Sequence, residues 1–517
     1  MLLGHAVPAT QVAAIGDRYP QAGKGSVVFI KEGHLGGILS LARHLWSADL
    51  PPGKRAVWIV NMRDVRLACM FIGRESELEV LVDLAQGRTP ELFVLYGRRR
   101  VGKTELLQRF CESCRAVYFQ AAQVREKDNL RAFRDALADV LGDGTGSVTF
   151  EDWGAALKFA ADRAEGQRLV LVLDEFPYLC EANKGLPSIL QRFWDSTGKS
   201  SKLMIVLCGS QVSFMEEEVL SERSPLFGRR TAQRRLEPLA PPDTIGFFPG
   251  WSVEDRVLAY GILGGMPAYL RRFDDARSLG ENIYREILRP EGYLFEEVQF
   301  LLRNELTSPA TYNSILSAVA RGERKVGDIA LSVGVDSTTA NKYLSVLRDL
   351  GLVERRIPIT DPNPLRSRRG TYHIADRFLA FHFRHVQPHV SLVNAGRGSR
   401  VLEESVAPDF ARLFDEARVE FVLDHLRREA AGLVGEELIE IGRFEGVYVR
   451  AVGRTTEGTT VAAVVVPEGA PDEAKLAREF ASLDEAFGGT LVKLSYGITE
   501  KPEAVLAVER VPAGELF

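Results

Sequence analysis

The stretch LYGRRRVGKTELLQRF, Leu95–Phe110, decides the fold. Its upstream side, LFVLYG, reads as a short apolar strand ending in Gly97, and KTELLQRF reads as a helix with leucines on one face. Between them, Gly97-x4-Gly102-Lys103-Thr104 fits the spacing G-x-x-x-x-G-K-[ST]. Glycines there let successive backbone N–H groups point inward, and the helix start adds partial positive charge, so the turn is built to hold phosphate. Lys103 is placed to reach the β- and γ-phosphates of a nucleotide, and the Thr104 hydroxyl to ligate Mg²⁺. Arg98, Arg99, Arg100, Val101 and Glu105 complete the expected nucleotide-contacting set. The three arginines read as positions whose backbone matters more than their charge, although one can reach a neighbouring domain or an acidic partner.

Magnesium needs a second anchor, and hydrolysis needs a group that orients water. The run RLVLVLDEFPYL supplies both, because its apolar residues end in Asp174-Glu175 and so deliver two carboxylates to the edge of a buried parallel strand. Asp174 is the expected metal residue and Glu175 the expected catalytic base. A third buried strand, KLMIVLCGS, ends in Ser210, which on such a sheet lies between the two motifs and can sense the γ-phosphate. In SPLFGRRTAQRRLEPL, Arg229 and Arg230 stand just before the next strand. Arg229 is a candidate catalytic arginine for the same or a neighbouring subunit, and a solvated surface pair is the alternative. GILGGMPAYL places Pro267 after a glycine pair, which breaks a helix where a lid would meet the nucleotide.

The totals bound what else the chain can be. Its 517 residues suffice for several cores, and a net charge of −5 gives no global pull toward nucleic acid. Five cysteines, Cys69, Cys111, Cys114, Cys180 and Cys208, are too few and too irregular for a disulfide framework. Apolar runs are strand-sized and the N-terminus lacks a secretory pattern, so a reduced cytoplasmic protein without a membrane span is expected. Residues 1–69 carry no recognisable chemistry, and Met70 stands as an alternative start.

The segment 311–374 reads as helix, helix, turn, helix and two strands, a winged helix. Asp336 or Ser337 caps the third helix, whose Leu344, Val346, Leu347 and Leu350 are expected in the core. Ser337, Thr338, Asn341 and Lys342 lie toward the face that would meet bases, and Arg366, Arg368 and Arg369 form a basic wing. Ten basic and six acidic residues give this segment a local charge of +4, the sign that phosphate contact requires. Double-stranded DNA is therefore one candidate partner, and packing against the nucleotide domain or an unidentified protein is the other. His382, His385 and His389 read as a packed helix ending at Pro388 rather than as metal ligands.

FIGRE at 71–75, GRRRVGKT at 97–104, LVLDEF at 171–176, CGS at 208–210, SPLFGRRT at 224–231 and GGMP at 264–267 together resemble the archaeal-type ATPases, in the STAND branch of the AAA+ P-loop NTPases. The resemblance is strong over residues 70–400 and implies ATP as the nucleotide. It also implies that Phe71, Ile72 and Arg74 lie at the adenine end and that Pro267 is a lid contact. The expected class is thus α/β: a P-loop parallel sheet over 70–240, a helical lid over 241–310, and a winged helix with connecting helix over 311–400. The tail, 401–517, resembles a restriction-endonuclease-like PD-(D/E)xK domain. Such a site needs an acid on one strand and (D/E)-x-Lys on the next. Here Pro467-Glu468 ends the second strand with no lysine, and Glu473-Ala-Lys475 falls in a helix. Glu416 and Glu445 stand as isolated acids, so an inactive domain serving as a binding or homo-oligomer surface is expected.

Overall fold

The apolar run before Gly97 is β1, Glu91–Tyr96, buried along its whole length. A strand buried on both faces must be central, and the topology makes it so. The computed structural model describes residues 71–517 except 143, 165, 307, 466–470, 500–505 and 512–517. The readings of residues 1–69, Met70, Pro467 and Glu468 fall outside those residues. Residues 73–517 form one unit, while Phe71 and Ile72 belong to the preceding one.

After β1, the helix α1, Lys103–Cys111, leads to β2, Ala116–Gln120. Then follow β3, Leu169–Asp174; β4, Leu203–Gly209; and β5, Ala232–Arg235. All pairings are parallel, in the order β2-β3-β4-β1-β5. β3 and β4 are buried at every residue, as apolar strands covered by helices on both faces must be. β4 lies between β1 and β3, so Ser210 emerges between the phosphate loop and the paired carboxylates.

Beyond the sheet, α2, Val253–Leu263, ends at Gly264, and a short turn of helix restarts at Pro267. The helix α3, Glu297–Glu305, precedes the winged-helix elements α4, Pro309–Arg321; α5, Val326–Val333; and α6, Ser337–Asp349. Asp336 caps α6 by accepting a hydrogen bond from the Thr339 N–H at 2.9 Å. Leu344, Leu347 and Leu350 are buried, but Val346 is only partly so, because it lies off that stripe. The strands β6, Val353–Arg356, and β7, Thr371–Ile374, pair antiparallel around the wing. The helix α7, Arg377–Phe381, follows at once, and its chain passes Pro388 in a tight turn instead of stopping there.

The tail opens with α8, Phe410–Arg428. Its sheet runs β8, Leu438–Arg443; β9, Val449–Thr455; β10, Thr460–Val465; β11, Leu491–Ile498; and β12, Leu506–Arg510, in sequential spatial order. Only β10 and β11 pair parallel, across α9, Glu473–Phe487. Val422 and Leu426 of α8 pack one face of this sheet, and Leu476 and Leu483 of α9 pack the other. Glycine at 261 lets α2 approach α8: a Cβ there would lie 3.2 Å from that of Ala417.

Candidate nucleotide site

The loop between β1 and α1 requires its glycines. A Cβ at Gly97 would sit 2.4 Å from the Leu236 carbonyl oxygen, and Gly102 has φ 98°, a left-handed conformation that strains other residues. Arg100 also adopts positive φ, 69°, so the loop holds some strain at a non-glycine position. The Lys103 ammonium is folded back under the loop and donates to the carbonyls of Gly97 and Arg98 at 2.8 and 2.9 Å. Burial holds its pKa below the ordinary lysine value. Arg74 is buried behind the loop, donating to the Val101 and Glu237 carbonyls, so it braces the turn from below.

Opposite the lysine, Asp174 is 1% exposed, and its Oδ2 accepts from Thr104 Oγ1 at 3.0 Å and from the Tyr118 hydroxyl at 2.6 Å. Thr104 and Asp174, from α1 and β3, thus meet where a hydrated Mg²⁺ on a nucleotide would need hydroxyl and carboxylate oxygens. Glu175 has φ 54°, and its carboxylate accepts from Ser210 Oγ at 2.8 and 3.1 Å. Five of the anticipated side chains, Lys103, Thr104, Asp174, Glu175 and Ser210, are therefore gathered at one sheet edge. Tyr118 was missed; a tyrosine within an ordinary strand gives no motif.

The expectation that one loop arginine can reach an acidic partner holds for all three. Arg98 pairs with Asp376 at 2.7 Å, with both side chains nearly buried. Arg99 donates to the Tyr178 hydroxyl at 3.2 Å and lies 4.0 Å from Glu305. Arg100 pairs with Glu297 at 2.8 Å, donates to the Tyr293 hydroxyl at 2.6 Å and lies over that ring. Glu297 and Glu305 are on α3, and Asp376 caps α7, so each guanidinium ties the loop to another part of the chain. Burial holds the Glu297 and Glu305 carboxyls above the usual carboxylate range, outweighing the neighbouring arginines.

The remaining candidates divide. Pro267 lies against the loop, 3.7 Å from where a Gly102 Cβ would be. Glu105 is committed to an ion pair with Arg271, a residue that sequence reasoning passed over although it follows Pro267 by one helical turn. Arg229 is not brought to the loop: it pairs with Asp195 at 3.0 Å, while Arg230 donates to the Leu220 carbonyl. Phe71 and Ile72 lie in the preceding unit. Ser337, Thr338, Asn341 and Lys342 share an exposed face of α6, and Arg366, Arg368 and Arg369 are exposed in the wing.

His385 bonds Ser405 and Asp409, and His389 bonds the His385 carbonyl, so these rings are packing partners. In the tail, Glu416 pairs with Arg412 and Arg377, and Lys475 with Asp472; Glu445 is exposed. Among the described residues, no helix is long and apolar enough to cross a membrane.

Comparison with known proteins bears on the domains that carry these residues. Residues 71–273 match the family described as an ATPase domain predominantly from Archaea, and residues 312–355 match the bacterial regulatory protein, arsR family. The uncharacterized protein MJECL04 of Methanocaldococcus jannaschii is 35% identical over 327 residues, 63% of this chain and 71% of that protein. The uncharacterized ATP-binding protein MJ0423 of the same organism is 48% identical over 44 residues, 8% of this chain and 75% of that one. Among solved structures, the Walker-type ATPase PABY2304 of Pyrococcus abyssi is similar at a TM-score of 0.47 and 20% identity, over 61% of this chain and 96% of its own. By its match to that domain and its extended identity to the M. jannaschii protein, the chain belongs to the archaeal-type ATPase family.

Proposed function

We propose that the chain is a slow ATP-hydrolysing switch that passes the state of its phosphate loop to the winged helix. The observation that carries this reading is the buried pair between Arg98 of the loop and Asp376, which directly follows the wing hairpin and caps α7. Lys103, Thr104 and Asp174 hold the triphosphate and its Mg²⁺. When bound, the metal offsets phosphate charge. Glu175 is the base that orients water, and its hydrogen bonds from Ser210 hold it in a resting position, which is why slow turnover is proposed. Phosphate charge competes with Asp376, Glu305 and Glu297 for the loop arginines, so nucleotide binding favours one arrangement of α3 and α7 over another.

Duplex DNA is the proposed partner of the winged helix, supported by the exposed Ser337–Lys342 face and the three wing arginines. The tail is proposed as a nuclease-like fold that has lost its chemistry and docks a protein, with Glu416 already committed to arginines. A cytoplasmic setting follows from the same reading.

The test is ATP binding and hydrolysis by the full chain, compared with Glu175→Gln and Lys103→Ala, with and without duplex DNA. Glu175→Gln should keep ATP and lose turnover by about 10²-fold or more, while Lys103→Ala loses both. DNA should raise wild-type turnover. Tight ATP binding by the wild type with no turnover would sink the enzyme and leave an ATP-stabilised interaction scaffold.

A further inference from the structure

A cavity of about 80 Å³ lies away from the phosphate loop, among α2, α4, β7, α7 and α8. Its lining includes Arg324, Arg356, Arg377, Arg384 and Arg412, which come from four separate stretches of chain because Arg377 and Arg384 share the helical segment that begins with α7, and one carboxylate, Glu416. We propose that this cavity is a second anion site, taking a phosphate-sized oxyanion: inorganic phosphate, or the phosphate of a small phosphomonoester.

The charge balance favours an anion. Glu416, Glu420, Asp409 and Glu354 pair with some of these guanidiniums. Arg324 has none: it donates to the backbone carbonyls of Val319 and Tyr372 at 3.0 and 3.3 Å, and makes no ion pair among the described residues. A half-buried cation with no direct ion-pair partner is costly, since the Glu416 charge acts on Arg324 only from beyond ion-pair distance, and an oxyanion bridging several guanidiniums lowers that cost. The surplus is felt by His373 in the same lining, whose pKa falls to about 3 through burial and the fields of Arg356, Arg324, Arg443 and Arg377. Size selects the ligand. About 80 Å³ is several times the ~10–15 Å³ that holds a single water and leaves room for one tetrahedral oxyanion, but falls short of the ~300 Å³ that begins the range for larger ligands. Arg384 is exposed and offers a way in. Arg377 directly follows Asp376, so an occupant sits one residue from the carboxylate that holds Arg98.

The experiment is calorimetric titration of the full chain with inorganic phosphate at constant ionic strength. The Lys103→Ala variant serves as background, because it removes the phosphate loop as a competing site. One phosphate should still bind in that background. Binding should weaken at least tenfold on adding Arg324→Gln. It should weaken equally on adding Ala320→Asp, which brings a carboxylate to the same lining without removing a hydrogen bond and so guards against a folding failure of the first. Glycerol 3-phosphate binding more tightly than phosphate would support the monoester, and equal affinity the free ion. Loss of all phosphate binding in Lys103→Ala alone, or binding that survives both cavity variants, overturns the proposal. So does one-for-one displacement of phosphate by duplex DNA, which would give the arginines to a nucleic-acid backbone.

Discussion

The chain carries two short arginine runs, and they meet opposite fates. Arg98–Arg100 lies at the junction of β1 and α1, where α3 and the start of α7 come down over the sheet edge and supply Glu305, Glu297 and Asp376. The run Arg366–Arg369 lies between β6 and β7, and none of its three arginines makes an ion pair among the described residues. Its backbone is nevertheless fixed, because Lys325 Nζ donates to the carbonyls of Arg369 and Gly370 at 2.9 and 3.1 Å. One run uses its side chains to join parts of the fold, and the other is held by its backbone with its charges facing water. A guanidinium paired in a buried place couples segments, whereas one left exposed is a surface for an anionic partner.

Removing the buried partner should have the largest effect. Asp376→Ala leaves Arg98 without its counter-charge and α7 without its cap, and should cost about 3–5 kcal/mol in urea unfolding without nucleotide. Asp376→Asn keeps the cap and should cost less. The buried side also carries a pH signature. His382, on the chain that continues α7, is held neutral by burial, with its pKa lowered to about 4. Its folded value lies below its unfolded one, so its contribution is present above about pH 6.5 and is lost as pH falls toward 4. Within that window stability should drop by up to about 1.4 kcal/mol per pH unit from this group. His382→Phe should flatten the dependence of urea-unfolding stability on pH by that amount, and an unchanged dependence would contradict this role for the histidine.

The exposed run should behave in the reverse way. Arg368→Ala and Arg369→Ala should each weaken duplex DNA binding and lower its log–log salt slope by about 0.9, as fluorescence anisotropy across salt concentrations would read. Their effect on urea unfolding should stay within about 0.5 kcal/mol. Wing variants that destabilise as much as Asp376→Ala, or leave the salt slope unaltered, would break the comparison.

The same contrast explains what was legible in the sequence. The phosphate loop, the Asp174–Glu175 strand end and Ser210 were readable because each sits at a fixed offset from an apolar run. The winged helix was readable because Gly334 ends α5 and Asp336 caps α6 within a few residues. The acids that pair with the loop were not. Asp376 stands 278 residues from Arg98, and nothing local marks it as other than a helix cap. Tyr118 and Arg271 were hidden likewise, since their roles come from elements that meet only in the folded chain. Arg229 shows the converse: a suggestive position before β5 whose guanidinium turns to Asp195.

If loop occupancy is transmitted through Arg98 to the helix behind the wing, amide exchange in both places must respond to nucleotide. The most direct measurement is amide hydrogen exchange of the Glu175→Gln chain with and without Mg–ATP, comparing residues 97–104 with residues 377–386. ATP should protect the loop and change exchange in 377–386 by tenfold or more, and Asp376→Asn should abolish the second response while keeping the first. Protection of the loop with 377–386 unmoved would contradict it.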